Sequence, residues 1–310
     1  MPTALITHRA CLGHDAGPYH PECPDRLRAV IAALEAQEFA DLLRESAPHA
    51  TVEQLTRVHP ENYVQAILSI RPNEGEMVQL DADTSMCPGS AEAALRAAGA
   101  AVAGVDAVME GWARAAFAAV RPPGHHAEPA RPMGFCLFNN AAVAALHARA
   151  RWGIQRVAVV DFDVHHGNGT QAIFEADADL FYASSHQHPC YPGTGAAWDR
   201  GVANNVINAQ LRPGSDSAAF RAAWSDTILP ELDRFAPGLL IVSAGFDAHK
   251  ADPLAQLRLE TADFTWITQE LLRIAAAHCG GKLVSVLEGG YDLEALAASA
   301  AAHVRTLMQA

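Results

Sequence analysis

The stretch Val157–Thr170, VAVVDFDVHHGNGT, decides the fold class of this chain and contains its most reactive side chains. It begins with a short apolar run rich in valine, which is typical of a strand buried on both faces of a sheet. Asp161, Asp163, His165 and His166 follow within six residues. Burying such ionisable groups is costly unless their charge is compensated, and a metal ion is the simplest compensation. Alternation along the chain places the first three on one face, and Asp with His suits a borderline cation such as zinc.

Two other interpretations of this stretch stay open at this point. In the first, the carboxylates only cap the helix that follows the strand. In the second, Gly167–Ala172, GNGTQA, is a dinucleotide-binding G-x-G-x-x-A motif. That motif should follow the strand tightly, with an acidic residue about 20 positions further on at the end of the next strand. Here Asp-Val-His-His intervenes, and the next strand candidate is followed by Ser-Ser-His, so a metal site is the better interpretation.

Length and composition restrict the class of protein. At 310 residues, half of them apolar, the chain can build two average domains or one large α/β domain with a substantial core. The net charge of −13 argues against a surface that binds nucleic-acid phosphates. An acidic surface favours cationic substrates, although solubility explains it equally well.

The six cysteines form no C-x-x-C pair, and the chain shows no signal-peptide pattern. We therefore expect reduced thiols and a cytoplasmic protein. No uninterrupted apolar run approaches the ~20 residues of a membrane span, so no membrane partner is expected. The sequence leaves open whether the protein is a homo-oligomer.

Strand and helix signals alternate along the whole chain. The predicted strands are Ala4–Thr7, Ala115–Val120, Val157–Val160, Leu180–Ala183, Asn205–Asn208, Leu239–Ser243 and Leu283–Leu287. The predicted helices are Arg26–Glu38, Arg57–Ser69, Ser90–Glu110, Asn139–Trp152 and Ser217–Phe235, and the main loops are Arg71–Pro88 and Ser184–Gly195. No linker or repeat divides this series, so we predict one α/β domain over residues 1–310 with a mostly parallel sheet.

Polar side chains follow five of the predicted strands at their carboxyl ends. Ligands of open α/β sheets bind in the crevice outside those ends. Any single residue of this kind is more often a helix cap or an ordinary core contact, so it is their convergence that indicates a site. The residues are His125, His126, Asp161, Asp163, His165, His166, Ser184, Ser185, His186, Asp247 and Tyr291.

Six motifs, in this order, resemble those of the histone deacetylase family, which includes bacterial histone-deacetylase-like amidohydrolases and acetylpolyamine amidohydrolases. They are HPECPDR (20–26), PPGHHA (122–127), GFCLFNN (134–140), DFDVHHGNGT (161–170), SAGFD (243–247) and LEGGY (287–291). Asn168 and Glu288 resemble the class II pattern. The resemblance implies a three-layer arginase/deacetylase-like α/β fold. It also implies a zinc-dependent amidohydrolase that removes acetyl or other short acyl groups from ε-acetyl-lysine-like amines.

By matching motifs, the resemblance makes Asp163, His165 and Asp247 the zinc ligands. Three protein ligands leave a position for water and for the substrate carbonyl, as a catalytic zinc requires. Zinc would polarise that carbonyl and bring the pKa of the water towards neutrality.

The same resemblance assigns the acid–base groups. His126 would be the general base and then the acid that protonates the leaving amine. Asp161 would orient His125, while Asn168 stands where class I enzymes carry an Asp behind the second histidine and should leave His126 less basic. Tyr291 would stabilise the oxyanion by donating a hydrogen bond. Because Tyr291 follows two glycines, we expect its loop to be mobile and weakly anchored.

The family also binds potassium beside the zinc. The implied ligands are the side chain and carbonyl of Asp161, the carbonyls of Asp163, His165 and Ser185, and the hydroxyl of Ser184. Oxygen ligands suit a hard monovalent cation.

Several positions match the family's substrate tunnel, which grips an aliphatic side chain. Phe135 and Tyr191 match its aromatic walls, with Gly134 beside them, although ordinary core packing explains two aromatics equally well. Leu254 stands where polyamine-specific relatives tend to carry a Glu, which favours an acetyl-lysine substrate. Asp83 or the nearby Asp81 would be the rim carboxylate that holds a peptide backbone N–H.

Three other functions stay open. Glu74 and Glu76 keep an acetylpolyamine amidohydrolase in view, since bacterial polyamine enzymes use acidic residues of an inserted loop. A catalytically inactive protein that only binds acyl ligands would not need the intact set of ligands, histidines and tyrosine. An arginase-like dinuclear manganese hydrolase would need more carboxylates than this sequence offers.

Overall fold

A computed structural model describes residues 2–309 of the chain. Its strands are β1 (Thr3–Thr7), β2 (Leu43–Ser46), β3 (Val78–Gln79), β4 (Ser85–Met86), β5 (Ala115–Ala118), β6 (Val157–Asp161), β7 (Leu180–Gln187), β8 (Val206–Leu211), β9 (Leu239–Ala244) and β10 (Leu283–Leu287). Eight of them form one sheet in the order β2-β1-β5-β10-β9-β6-β7-β8, and every neighbouring pair is parallel. The antiparallel pair β3–β4 stands apart. The predicted α/β fold with a parallel central sheet is therefore confirmed.

Residues 2–309 also contain ten α-helices. They are α1 (Pro24–Ala33), α2 (Val52–Thr56), α3 (Glu61–Ser69), α4 (Ser90–Glu110), α5 (Asn140–Trp152), α6 (Asn168–Phe174), α7 (Ser217–Ala223), α8 (Leu229–Phe235), α9 (Thr261–His278) and α10 (Leu293–Leu307). Successive residues of a strand point to opposite faces of its sheet. In β5, Ala116 lies against Gly104 of α4, and the next residue, Phe117, contacts His303 of α10. α4 and α10 therefore cover opposite faces, which gives three layers.

The two strands β7 and β8, at the end of the sheet beyond β6, are longer than the sequence predicts. β7 continues through Gln187, although the predicted loop begins at Ser184, and β8 extends to Leu211. The register pairs Ser184 with Asn208 and Gln187 with Leu211. These polar residues are buried by pairing with a neighbouring strand, which local composition does not reveal. The carboxyl end of β7 therefore supplies backbone and hydroxyl groups next to β6.

Two helix predictions are wrong in their bounds. The predicted helix Arg57–Ser69 begins only at Glu61, as α3, because Pro60 cannot continue a helix and instead precedes the first residue of α3. The short helix α2, which ends at Thr56, was not predicted. α1 ends at Ala33 rather than Glu38. The chain then turns so that Phe39 is buried in the core.

The edge strand β2 was not predicted. All four of its residues are exposed, and β2 pairs with β1 alone. It carries no apolar run, so only the partner strand defines it. Among residues 2–309, no helix combines the length and apolar character needed to cross a membrane.

Candidate active site

The parallel sheet brings the predicted residues to one edge. Asp161 ends β6, and its register neighbours are Ser184 in β7 and Ser243 in β9. His125 and His126 follow β5, Asp247 follows β9, and Glu288 and Tyr291 follow β10. Because all these strands run in one direction, their carboxyl ends meet at the same crevice.

Asp163, His165 and Asp247 form a buried cluster that fits a metal ion. One donor atom from each lies within 4.8 Å of the others. Nδ1 of His165 is 3.1 Å from Oδ1 of Asp163 and 3.1 Å from Oδ2 of Asp247. Burial and the Asp163 carboxylate raise the pKa of Asp247 to about 7, since the two like charges repel. Two carboxylates and one imidazole converging in this way are a donor set for a divalent transition metal such as zinc.

Backbone groups hold the two carboxylates in place. Asp163 Oδ2 accepts the N–H of Gly289 at 2.8 Å, and Asp247 Oδ1 accepts the N–H of Val164 at 2.8 Å. A Cβ on Gly245 would lie 2.0 Å from Asp163 Oδ2, and one on Gly289 would lie 2.1 Å from Asp247 Oδ2. Both positions therefore require glycine, since the backbone approaches the carboxylates directly. Such outer contacts orient metal ligands.

His125 is held by carboxylates on both sides. Its Nδ1–H donates to Asp161 Oδ2 at 2.9 Å, and the same oxygen accepts the Tyr182 hydroxyl at 3.1 Å. Glu288 Oε2 accepts the backbone N–H groups of Gly124 at 2.7 Å and His125 at 3.2 Å. Burial alone lowers the pKa of His125, but Asp163 and Asp161 outweigh it and raise that pKa to about 10. His125 is thus a fixed proton donor at Nδ1.

His126 has a neutral partner. Its Nδ1–H donates to Oδ1 of Asn168 at 2.8 Å, which leaves Nε2 with its lone pair. Burial and the neighbouring His125 and His165 hold the pKa of His126 well below its ordinary value. The two catalytic candidates lie in contact, with ring centroids 4.0 Å apart. Because their hydrogen-bond partners differ, the pKa values of His125 and His126 shift in opposite directions. Such a pair is typical of sites that carry out acid–base chemistry.

The loop that carries Tyr291 is anchored, contrary to the prediction of a mobile and weakly held loop. Asp252 Oδ2 accepts the N–H of Tyr291 at 2.7 Å, and the Arg26 guanidinium lies 4.8 Å from the centroid of its ring. Arg26 also donates to the carbonyls of Glu288 at 2.5 Å and Gly290 at 2.6 Å. Burial raises the pKa of the Tyr291 phenol well above its usual range, so the hydroxyl keeps its proton and can donate it.

A buried ion cluster fixes Arg26 in turn. Glu22 accepts from Arg26 at 2.9 Å and from Arg121 at 2.5 and 2.6 Å, and all three side chains are buried. Burial alone raises the pKa of Glu22, but Arg121 and Arg26 outweigh it and lower that pKa to about 2. Glu22 and Arg26 both belong to the motif HPECPDR (20–26), but the sequence assigned neither residue a functional role. No helical spacing connects them, since Glu22 lies before the first residue of α1 and Arg26 lies in its first turn.

A narrow cavity of about 230 Å³ reaches the candidate metal cluster at His165. All of the predicted substrate-binding residues line it. The lining is Asp83, His126, Gly134, Phe135, His165, Tyr191, Leu254 and Tyr291. Aromatic and aliphatic side chains make up much of its lining, beside a few polar groups, which suits a ligand with an aliphatic chain.

The geometry separates the two candidates for the rim carboxylate. Asp83 lines the cavity and accepts the N–H of Gly134 at 3.1 Å, whereas Asp81 pairs with Arg131 at 3.0 Å. Phe135 has a φ of 70°, an uncommon conformation for a residue with a side chain. The bond from Gly134 to Asp83 and one from the Phe135 N–H to Thr84 Oγ1 at 3.0 Å hold this conformation.

Glu74 and Glu76 lie elsewhere. Both line a separate cavity of about 450 Å³ beside Met77 and Cys87, and neither lines the cavity that holds Tyr291. Glu76 Oε2 accepts two hydrogen bonds from Asn73 within its own loop. The acidic residues that kept the polyamine alternative open are therefore not part of the narrow cavity's wall.

The residues assigned to potassium also lie side by side. Asp161 and Ser184 are register partners at the ends of β6 and β7. The Ser184 hydroxyl is 3.0 Å from Nδ1 of His186, and the Ser185 hydroxyl accepts the indole N–H of Trp224 at 2.9 Å. The side chains of Asp161, Ser184, Ser185 and His186 are all buried.

The fold and the residues at the carboxyl edge of its sheet define an α/β protein of the enzyme class, in which a parallel sheet carries a candidate metal cluster and a pair of histidines. The chain belongs to the histone deacetylase family, since the pattern that defines the histone deacetylase domain matches residues 20–307. It is a deacetylase-type amidohydrolase of that family, whose members act on acetylated amines. The family predicted from the motifs is confirmed.

Similar proteins agree with this assignment. The chain is 41% identical to the histone deacetylase-like amidohydrolase of Pseudomonas aeruginosa, over 94% of this chain and 82% of that protein. It is 35% identical to a probable deacetylase of Archaeoglobus fulgidus, over 95% and 82% of the two chains. The crystal structure of the HDA15 HD domain superposes with a TM-score of 0.93 at 38% identity and covers 99% of this chain and 88% of that one.

Proposed function

We propose that this deacetylase is a zinc-dependent enzyme that removes acetyl or other short acyl groups from ε-acetyl-lysine-like amines. One observation carries the proposal. The base candidate His126, the phenol of Tyr291 and His165 of the candidate metal cluster all line one narrow, largely apolar cavity. An acylated amine on an aliphatic chain fills such a cavity with its amide at the reactive end.

Asp163, His165 and Asp247 would hold zinc, which would supply a Lewis acid for the acyl carbonyl and a water of lowered pKa. The protein's own groups do the rest. Nε2 of His126 takes a proton from the attacking water, because its Nδ1 is already engaged with Asn168. The same nitrogen then returns that proton to the leaving amine. His125 donates its Nδ1–H to Asp161, and this hydrogen bond fixes the orientation of its ring beside His126.

Tyr291 donates its hydroxyl proton in a hydrogen bond to the oxygen on which charge develops. Asp252 and Arg26 keep the ring in place before substrate arrives, so little reorganisation is needed. Phe135 and Tyr191 enclose the aliphatic chain of the substrate. Asp83, at the rim, accepts a backbone N–H from a peptide substrate.

Potassium is proposed at the end of β6 and β7, held by oxygen atoms of Asp161, Ser184 and Ser185 together with the carbonyls of Asp163 and His165. Asp161 would then serve both the cation and His125. A monovalent cation at this place balances part of the negative charge that the buried carboxylates bring together.

Metal content and turnover measured on the same sample test the proposal. We expect one zinc per chain by mass spectrometry and hydrolysis of an acetyl-lysine fluorogenic peptide that chelation abolishes and zinc restores. Zinc without turnover of any acylated amine would favour a protein that only binds acyl ligands. Two manganese ions per chain would favour the arginase-like alternative.

Leu254 provides a test of substrate class. We expect the wild-type enzyme to hydrolyse acetyl-lysine peptides with a higher kcat/KM than N-acetylputrescine or N8-acetylspermidine, because an apolar Leu254 offers no partner to a distal ammonium. Leu254→Glu should shift the ratio of kcat/KM values towards the polyamines by roughly fivefold, as expected for one partly exposed ion pair. Leu254→Gln, of equal size and no charge, is the matched control. A wild-type kcat/KM higher for the polyamines than for every peptide would contradict the proposed substrate class.

A further inference from the structure

The Asn168 amide is held at both ends. Its oxygen accepts the Nδ1–H of His126 at 2.8 Å, and its Nδ2 donates to Oε1 of Glu128 at 2.9 Å. Weaker contacts join Nδ2 to the Met133 sulfur at 3.3 Å and to the backbone carbonyl of His126 at 3.5 Å. Asn168 is buried at the start of α6, so its amide has few alternative partners.

The chemistry of these partners allows one orientation of the amide. A carboxylate only accepts hydrogen bonds, so the NH₂ group of Asn168 must face Glu128 and the oxygen must face His126. Turning the amide over would place two oxygens 2.9 Å apart at Glu128 and would present a donor to Nδ1 of His126. His126 would then carry its proton on Nε2. That is the nitrogen which needs a lone pair to act as a base.

The local backbone keeps Glu128 at this place. Its N–H donates to the carbonyl of Arg131 at 3.0 Å, which closes a tight turn directly after His126 and Ala127. The carbonyl of Pro129, within that turn, accepts from His59 at 2.9 Å. In the part of the chain that the structure describes, no Lys, Arg or His pairs with the Glu128 carboxylate. Asn168 is its polar side-chain partner.

We propose that Glu128 is a positioning residue that orients the Asn168 amide and thereby fixes the proton of His126 on Nδ1. The inference rests on the proposed function in that His126 is taken as the base. Glu128 is not among the residues that line the narrow cavity or form the candidate metal cluster. A neutral Asn behind the base has two unlike ends, and a carboxylate beyond it determines which end the base meets.

Two substitutions of Glu128 test whether the Asn168 amide needs a hydrogen-bond acceptor at this position. One keeps an acceptor, and the other offers only donors. Glu128→Gln can still present an oxygen to Asn168, and we expect kcat within about threefold of wild type, the effect of one weakened hydrogen bond. Glu128→Lys presents only donors and turns the amide over, so kcat should fall by about 10²-fold with KM little changed, as for loss of a general base. Glu175→Lys, at the other end of α6, is the control for the change of charge.

The substitution Asn168→Asp should reverse the sign of the change in kcat that Glu128→Gln causes. A carboxylate has two like ends and needs no orientation, but at position 168 it would face the Glu128 carboxylate at close range. In the Asn168→Asp background, Glu128→Gln should therefore raise kcat, whereas in the wild-type background it lowers kcat slightly. A purely structural contribution of Glu128 would lower kcat in both backgrounds.

A readout without turnover completes the test. In zinc-loaded protein labelled with ¹⁵N-histidine, the correlation spectrum of the His126 ring should show the proton on Nδ1 for wild type and Glu128→Gln, and on Nε2 for Glu128→Lys. An unchanged His126 tautomer in Glu128→Lys, or equal kcat for the Lys and Gln variants, would overturn the inference. If the wild-type enzyme hydrolyses no acylated amine, the proposed function fails, while the spectra still decide the task of Glu128.

Discussion

Replacing Asp163, His165 or Asp247 by Ala is expected to remove bound zinc and to lower amidohydrolase activity by at least about 10³-fold, because the metal supplies several kcal/mol of transition-state stabilisation. The folded state should survive. These side chains lie at the carboxyl edge of the sheet and not in its apolar core. Removing one carboxylate also relieves the repulsion that raises the pKa of Asp247.

Mass spectrometry of the purified variants measures zinc per chain, and circular dichroism measures the fold. Asp226→Ala, on the exposed side of the turn between α7 and α8, is the control and should keep both zinc and activity. Full zinc occupancy in all three ligand variants would show that the metal lies elsewhere. Unfolding of all three would mean that the cluster is part of the stability of the fold.

The substitution Tyr291→Phe is expected to cause the second large loss of activity, through a lower kcat. Charge on the carbonyl oxygen grows towards the transition state, so the phenol hydrogen bond matters more to kcat than to ground-state binding. Loss of one such donor costs on the order of 10²–10³ in rate. The variant should keep its zinc and bind a hydroxamate inhibitor within roughly tenfold of the wild-type affinity.

The anchoring of the Tyr291 loop makes this a clean substitution. Asp252 binds the backbone N–H, and Arg26 lies against the ring, so neither contact uses the hydroxyl that Phe removes. Tyr191→Phe removes a hydroxyl from the wall of the same cavity and should change kcat little. Rapid-mixing measurement of kcat for both variants, on an acetyl-lysine peptide, gives the comparison. Near wild-type kcat for Tyr291→Phe would remove this residue from the mechanism.

The residues of the site could be predicted from the sequence because they follow strands that short apolar runs make easy to recognise. Val157–Val160 and Leu239–Ser243 are short, buried and rich in β-branched or aliphatic residues. Asp161 follows the first directly, and Asp247 follows the second after three residues. The rule that parallel strands share one carboxyl edge then brings these residues together. The family motifs added the division of tasks among them.

Elements without such a signal were missed. β2 is fully exposed and is defined by its pairing with β1. The end of β7 is polar and buried, because β8 supplies partners for its backbone. In both cases the neighbouring strand, and not the local composition, decides the conformation.

The sequence by itself determined the parallel α/β sheet, the family and the residues that gather at its carboxyl edge, since these follow from local apolar periods and short motifs. The tertiary structure alone decided how those residues are held. Arg26 meets Gly290 across 264 positions of sequence, and Asp252 meets Tyr291 across 39. It also placed Asp83 rather than Asp81 at the cavity. A hydrogen bond between distant segments depends on the packing of the whole chain, and no local pattern of residues records it.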